Sequence, residues 1–334
     1  MQSHEDGSLS DEELRWLLRR AAGGVGVIET CASHVAEDGQ AWRGQLGVFA
    51  DRLLPGLRRL AAEVTGSGAL GVVQLFHGGL RADPQLTGAP TWSASAVEQP
   101  GLPAPQAATE KQIEVVIGRF RDAAVRAHAA GFSGVELHGA HGYLLGQFLS
   151  ATQNQRTDRW GGSWQNRARL LRETVRAVRS AVPRSFLVGV RLSPEDRGQA
   201  TGLDLDENLT MAGWLVDDGI DFLHLSLWDA SKNSQKRPDQ HPIPLFRQAI
   251  DVRVPLVVAG NVWTRADAEA LLQKGADVVA IGRAAIANPD WPSRVPDPTW
   301  EPRRPPLSRA ELHDRGLSEA FAIYLRNWKG FVSD

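Results

Sequence analysis

The chain has 334 residues, enough for one large core, and its 37 Lys and Arg against 39 Asp and Glu leave a formal charge of −2 with no basic block for nucleic acid or a membrane surface. Cys31 is the single cysteine, which excludes an intramolecular disulfide and a zinc or iron–sulfur site built from cysteines. The longest apolar runs are too short for a membrane helix and the acidic start Met1–Glu13 is unlike a signal peptide, so we expect a soluble, cytoplasmic protein whose partner is a small molecule.

Short β-branched runs recur along the chain and predict seven strands. They lie at 25–32, 69–77, 134–139, 186–193, 221–226, 256–261 and 278–283. Helical stretches separate them, and capping boxes mark two helix starts, Ser10 with Glu13 and Thr109 with Gln112. The segment 80–108 has no helical period and is predicted to be a long loop, whereas 308–328 is predicted to be helical.

The alternation of strands and helices predicts a parallel sheet covered by helices, either doubly wound or closed as a TIM-type (β/α)8 barrel. Polar side chains stand at or just after the ends of most of the strands: Gln74, His77, His138, His141, Arg191, Ser193, Ser226, Asn261 and Arg283. A barrel collects these ends into one pocket. A doubly wound sheet more often has a Gly-rich turn after its first strand, and Gly23–Gly26 precedes a strand instead. We therefore predict the barrel.

The densest motif runs from Gly131 through His138, His141 and Tyr143 to the Asn166-Arg167 pair. It resembles the signature of the old yellow enzyme family, in which two His, or a His and an Asn, stand three apart and a Tyr follows two residues later. The resemblance implies that His138 and His141 bind the substrate oxygen and that Tyr143 supplies a proton.

Elementary chemistry agrees with these implied roles. An α,β-unsaturated carbonyl or nitro compound accepts hydride when two N–H donors polarise its oxygen, and a Tyr keeps the required proton at pH 7. One alternative is that the histidines are core residues and Tyr143 is packing. A zinc site is another alternative, but a third ligand has no obvious source. We expect no metal.

The resemblance also implies contacts to FMN. Gln74 would pair with the edge of the flavin ring, Arg191 would lie near its N1 and O2 atoms, and Ala32 would contact it through the backbone. The alternative for Arg191 is an ion pair with a neighbouring carboxylate. The loops at Gly260-Asn261 and Gly282-Arg283 follow the last two predicted strands, where barrels commonly bind phosphate.

The resemblance covers nearly the whole chain and implies a single FMN-binding barrel domain over 1–334, in the compact branch that carries FMN alone. Family members begin with a strand that contacts the flavin, and this sequence opens on a predicted helix instead. We therefore expect an open barrel that lacks its first strand and binds FMN poorly.

The implied activity is reduction of activated C=C bonds, such as those of enones and nitroalkenes, with NADH or NADPH as co-substrate. Two rival interpretations remain: another kind of FMN barrel oxidoreductase, such as a dihydroorotate-dehydrogenase-like enzyme, and an inert remnant without cofactor. The sequence does not choose between NADH and NADPH or fix the oligomeric state, and a homo-oligomer is compatible with it.

Overall fold

Ten strands are present in the computed structural model, which describes residues 2–198 and 200–333. Their bounds are β1 Val27–Glu29, β2 Ser33–His34, β3 Leu70–Phe76, β4 Trp92–Ser93, β5 Gln106–Ala107, β6 Gly134–Gly139, β7 Leu187–Leu192, β8 Phe222–Ser226, β9 Leu256–Ala259 and β10 Val278–Ala280. The main sheet has the order β1-β3-β6-β7-β8-β9-β10, and every pair in it is parallel. β2 continues the line of β1 and pairs with the end of β3. All seven predicted strands are therefore confirmed, in the predicted order.

The main sheet is open. In the part of the chain that the structure describes, β1 and β10 each have a neighbour in the main sheet on one side only. The first residue of each of these two strands is accessible: Val27 is 43% exposed and Val278 is 40% exposed. The sheet is thus a half-barrel with two free edges.

Helices alternate with the strands and cover the outer face of the sheet. The α-helices are α1 Asp11–Ala22, α2 Leu54–Gly66, α3 Pro84–Thr87, α4 Glu110–Ala130, α5 Leu144–Leu149, α6 Trp164–Arg167, α7 Arg169–Ala181, α8 Leu205–Asp217, α9 Pro242–Ala249, α10 Arg265–Gln273, α11 Arg283–Ala287, α12 Trp291–Arg294, α13 Arg309–Asp314 and α14 Glu319–Leu325. Short 3₁₀ turns lie at Glu37–Gly39, Asp51–Leu53 and Gly79–Arg81. None of the described helices combines the length and the apolar content needed to cross a membrane.

The helix starts follow the sequence signals. Ser10 accepts a hydrogen bond from the Glu13 N–H at the start of α1, and Thr109 and Gln112 form a complete capping box at α4. α4 then presents one apolar face to the core, with Ile113 and Phe120 fully buried. Burying a side chain of this size stabilises the fold by roughly 1.5–3 kcal/mol.

Packing between neighbouring strands is tight beneath the ends that carry the polar residues. A Cβ atom built on Gly189 in β7 would lie 2.1 Å from the Phe222 ring in β8, so this position accepts no side chain. Such interlocking fixes the two strands relative to each other. It therefore holds Arg191 and Ser226, further along the same two strands, in a constant relation.

Two segments differ from their predictions. The predicted loop 80–108 contains α3 and the small parallel sheet of β4 and β5, whose two-residue strands are too short for a sequence period. The predicted helix 308–328 is two helices, α13 and α14, separated at Gly316, whose φ of 83° ends the first.

Candidate active site

The end of β6 and the turn after it bring together His138, His141 and Tyr143. The centroid of the His138 ring lies 4.9 Å from that of His141 and 5.1 Å from that of Tyr143. The centroids of the His141 and Tyr143 rings are 6.4 Å apart. The chain turns because His141 adopts the left-handed conformation with φ 61°, after which Tyr143 occupies the residue before α5. The three candidate catalytic residues therefore share one small region at the carboxyl edge of the sheet.

Hydrogen bonds orient both imidazoles. The Ala140 N–H donates to His138 Nδ1 at 3.3 Å, which leaves the His138 proton on Nε2. His141 Nε2 lies 2.6 Å from Ser226 Oγ, to which Arg191 Nη2 donates at 3.0 Å. Since Arg191 is the donor there, the Ser226 hydroxyl is free to donate to His141 Nε2, and we assign the His141 proton to Nδ1. Each histidine then keeps one N–H.

The charge states suit neutral donors and a protonated phenol. Burial, with further contributions from Arg191, holds the pKa of His138 and of His141 well below the ordinary histidine value. Burial raises the pKa of Tyr143, and the cations of Arg81 and Arg191 partly oppose that rise. At pH 7 the site therefore presents two uncharged imidazoles and one phenol that holds its proton.

Arg191 lies on β7 beside this group. Its Nε atom is buried without a hydrogen-bond partner. Among the described residues no carboxylate oxygen lies within 4.0 Å of its guanidinium, although its charge opposes the rise in pKa that burial imposes on Glu136 and Glu29. Arg191 therefore makes no direct ion pair there, and its Ser226 contact leaves the Nε donor available. An orphaned buried donor of this kind is costly unless a ligand satisfies it.

Gln74 stands on β3 at the head of a buried hydrogen-bond chain that sequence reasoning missed. Gln74 Nε2 donates to Glu136 Oε1 at 2.8 Å, and Glu136 Oε2 lies 2.8 Å from His224 Nδ1. Burial lowers the pKa of His224 to about 3, so this ring is neutral and donates its Nδ1–H to Glu136. Both donors of the chain thus converge on the Glu136 carboxylate.

Glu29 completes this cluster from β1. A carboxylate oxygen of Glu29, one of Glu136 and a ring nitrogen of His224 all lie within 4.8 Å of one another. Burial and the neighbouring Glu136 raise the pKa of Glu29 well above its ordinary value, which favours its protonated form. Burial also raises the pKa of Glu136, against the effect of Arg191.

The four residues predicted to bind phosphate lie together after β9 and β10. Arg283 Nη2 donates to Asn261 Oδ1 at 2.9 Å, and Asn261 is left-handed with φ 55°. A Cβ on Gly282 would meet nothing within 4 Å, so the main chain there is open to an incoming group. Gly260 differs from Gly282 because it has no room for a side chain: a Cβ there would lie 2.6 Å from the Leu227 carbonyl oxygen.

One of the two backbone polar groups of Ala32 already has a hydrogen-bond partner. Its carbonyl oxygen accepts a hydrogen bond from Gln45 Nε2 at 2.7 Å, which leaves the N–H as the group that can face a ligand. Aromatic rings missed by sequence reasoning close the side of the site: the Phe76 centroid is 4.4 Å from that of Tyr143, and Trp42 is 5.2 Å from Phe76. Phe76 lies in the same predicted strand 69–77, two residues after Gln74, and its position near the carboxyl end of that strand was an available signal.

Comparison with known proteins gives a consistent result. The sequence model of the NADH:flavin oxidoreductase / NADH oxidase family matches residues 1–298. The chain is 36% identical over 300 residues to the probable NADH-dependent flavin oxidoreductase YqiG of Bacillus subtilis, covering 88% of this chain and 80% of that one. It is 33% identical over 291 residues to an NADPH dehydrogenase of Halalkalibacterium halodurans, covering 86% and 84%. The chain is also 36% identical over 305 residues to an NADH:fumarate oxidoreductase of Klebsiella pneumoniae. That alignment covers 87% of this chain but only 32% of the longer Klebsiella protein.

Solved structures are similar as well. The old yellow enzyme homologue from Zymomonas mobilis superposes with a TM-score of 0.82 at 26% identity, over 95% of this chain and 89% of that one. Morphinone reductase superposes with a TM-score of 0.82 at 27% identity, over 93% and 86%.

Proposed function

Because the chain belongs to the NADH:flavin oxidoreductase / NADH oxidase family, and so is a flavin oxidoreductase of the old yellow enzyme type, we propose that it is an FMN-dependent reductase of activated C=C bonds, such as those of enones and nitroalkenes. NADH or NADPH is the hydride donor in this proposal. The observation that carries it is the convergence of two neutral imidazoles and one protonated phenol beside Arg191. We propose that residues 1–334 act as one FMN-binding domain.

The donors around Gln74 and Arg191 fit FMN. The orphaned Arg191 Nε is suited to the N1 and O2 region of the flavin, where negative charge grows on reduction, and the oriented Gln74 amide is suited to the ring edge. The Ala32 N–H would contact the ring, and the open main chain at Gly282 together with Arg283 would hold the phosphate. When bound, FMN would accept hydride from the nicotinamide and pass it to the substrate.

The protein residues supply the remaining parts of this reaction. His138 and His141 donate N–H groups to the substrate oxygen and stabilise the negative charge that develops on it. Tyr143 holds a proton for the α-carbon, because its raised pKa keeps the phenol protonated at pH 7. Phe76 packs against the Tyr143 ring and limits where its hydroxyl can point.

Flavin absorbance of the purified protein after incubation with FMN tests the cofactor, and a panel of enones, maleimides and nitroalkenes with NADH and with NADPH tests the reaction. Absence of bound flavin would favour the inert alternative. Bound flavin that oxidises NADH or NADPH but reduces no member of the panel would favour another kind of FMN oxidoreductase.

Replacing Tyr143 by Phe separates the two halves of the reaction. In stopped-flow experiments, reduction of the flavin by the nicotinamide should stay near the native rate, because no proton is needed at the α-carbon in that step. Reoxidation by an enone should slow by roughly 10²-fold, the usual contribution of a general acid. If both halves slow equally, Tyr143 is a packing residue and another group supplies the proton.

A further inference from the structure

Arg81 approaches the Tyr143 ring from a part of the chain with no recognised motif. It ends the 3₁₀ turn Gly79–Arg81 that follows β3, and its guanidinium carbon lies 4.5 Å from the centroid of the Tyr143 ring. Arg81 Nη1 donates to the His141 carbonyl oxygen at 2.7 Å. One cation therefore contacts the residue that would donate the proton and fixes the turn that carries it.

We propose that Arg81 is a positioning residue for Tyr143, which orients the phenol ring and stabilises the phenolate that remains after proton transfer. This inference rests on the proposed function. It assigns a role to a residue that touches neither the substrate nor the cofactor in the mechanism above.

The charge of Arg81 is not neutralised by a nearby anion. Within the described ranges no carboxylate lies within 4.0 Å of the Arg81 guanidinium, which donates a hydrogen bond to the His141 carbonyl oxygen. An unpaired guanidinium over an aromatic face is attracted to the electrons of the ring, and more strongly to a phenolate, whose negative charge spreads into that ring. The geometry thus favours the deprotonated form relative to a site without this cation.

The proton transfer shows why this matters. After hydride adds to the β-carbon of the substrate, the electron pair of the former double bond forms a C–H bond at the α-carbon while the Tyr143 O–H bond breaks. The negative charge moves from the substrate to the Tyr143 oxygen, and water later returns a proton to it. A fixed cation beside the ring lowers the energy of this charge distribution without having to reorganise.

The other groups around Tyr143 do not replace this effect. His138 and His141 are neutral at pH 7, and Phe76 is apolar. Arg191 on β7 also favours the phenolate, and its Nη2 donates to Ser226. Tyr324 on α14 acts in the opposite sense only if it ionises, and its own pKa is raised above the ordinary tyrosine value. Arg81 is thus the cation that contacts the ring itself.

The number of tyrosines makes a direct test possible, since the chain contains only Tyr143 and Tyr324. The FMN-loaded full chain is prepared with 3-fluorotyrosine, whose more acidic phenol titrates at lower pH, and a Tyr324→Phe sample assigns the two fluorine NMR signals. The titration is then followed in native protein, Arg81→Met and Arg81→Lys. We expect the Tyr143 signal to titrate at higher pH in Arg81→Met and close to native in Arg81→Lys.

Kinetics provide the second measurement. Enone-driven reoxidation of the flavin should slow by about tenfold in Arg81→Met and recover in Arg81→Lys, with flavin reduction unchanged in both. An identical Tyr143 titration in native protein and Arg81→Met would overturn the proposal. Equal shifts of the Tyr143 titration and equal slowing of reoxidation in Arg81→Met and Arg81→Lys would also overturn the proposal. The positive charge would then have no effect, and only the hydrogen bond of Arg81 to His141 would matter. If instead Tyr143→Phe leaves reoxidation unaffected, Tyr143 is not the proton donor and this inference fails; the proposed function itself fails only if the FMN-loaded native protein reduces no member of the substrate panel.

Discussion

His138 and His141 each keep one N–H that no described acceptor uses, and both rings are uncharged at neutral pH. A phenol has an oxygen of the same character as the proposed substrates and a ring that can stack on a flavin. We expect His138→Ala and His141→Ala each to weaken phenol binding to the FMN-loaded protein by about 0.5–1.5 kcal/mol, the contribution of one neutral hydrogen bond.

Titration of the flavin absorbance with a series of phenols measures this loss. His128→Ala, on the exposed side of α4, is the matched control and should bind phenols like the native protein. Unchanged phenol affinity in both His138→Ala and His141→Ala would show that these rings do not receive the oxygen.

Some residues of the candidate site could be predicted from the sequence and others could not, and the reasons are physical. Gln74, His138 and Arg191 could be predicted because parallel strands place their carboxyl ends at one edge. Arg81 could not, since its contact with Tyr143 depends on how a loop folds across 62 positions, a relation that no local pattern records. The role of Glu136 was equally hidden, because an acidic residue inside a strand gives no indication of its partners.

The chain of hydrogen bonds from β3 through β6 to β8 makes a prediction about elements. Glu136→Ala leaves the Gln74 amide and the His224 Nδ1–H buried without an acceptor, which should cost about 1–3 kcal/mol for each group. The freed Gln74 amide would also lose its fixed orientation. We therefore expect lower unfolding free energy in urea and weaker FMN binding by fluorescence titration.

Glu136→Gln should be intermediate, because its amide keeps an acceptor oxygen on the side of one donor and places an NH2 donor opposite the other. Glu173→Gln, on the outer helix α7 with a long ion pair to Arg169 of 3.8 Å, is the control and should behave like the native protein. An alanine variant with native stability and FMN affinity would contradict this account of the chain.

The strands themselves were predictable because a parallel sheet buries both faces and favours short, nearly continuous apolar runs, as in residues 187–190. β4 and β5 were not predictable, since two residues each carry no period and their pairing depends on the surrounding loops. The break between α13 and α14 was missed because a single Gly316 is tolerated inside many helical patterns.

Buried histidines with lowered pKa values predict how stability depends on pH; among the described residues these are His34, His138, His141, His224 and His241. Burial lowers the pKa of His34 to about 4 and that of His224 to about 3, and holds the pKa of His138 and His141 well below the ordinary value. The unfolded chain takes up these protons near pH 6.5 and the folded chain resists them, so stability is full above that pH and falls as the solution becomes more acidic.

Glu29 and Glu136 act in the opposite direction, because their raised pKa values favour the folded state as the pH falls toward the unfolded carboxyl value of about 4.3. Near and below about pH 5 the unfolded chain binds those carboxyl protons as well, so the histidines then decide the direction. Urea unfolding at pH 5.5, 5.0 and 4.5 should therefore show a falling free energy of unfolding. His34→Asn, which keeps a donor for the Ala36 carbonyl but cannot be protonated, should make the fall shallower, whereas His128→Asn should not. Constant stability from pH 5.5 to 4.5 would contradict the prediction.

The left-handed backbone at His141 limits which amino acids can occupy position 141. A residue with a Cβ at φ 61° costs about 1–2 kcal/mol relative to a right-handed one, and β-branched side chains cost more. Asn is the side chain with an N–H donor that accepts this conformation best. Position 141 is therefore open to very few substitutions that keep both the turn and a donor.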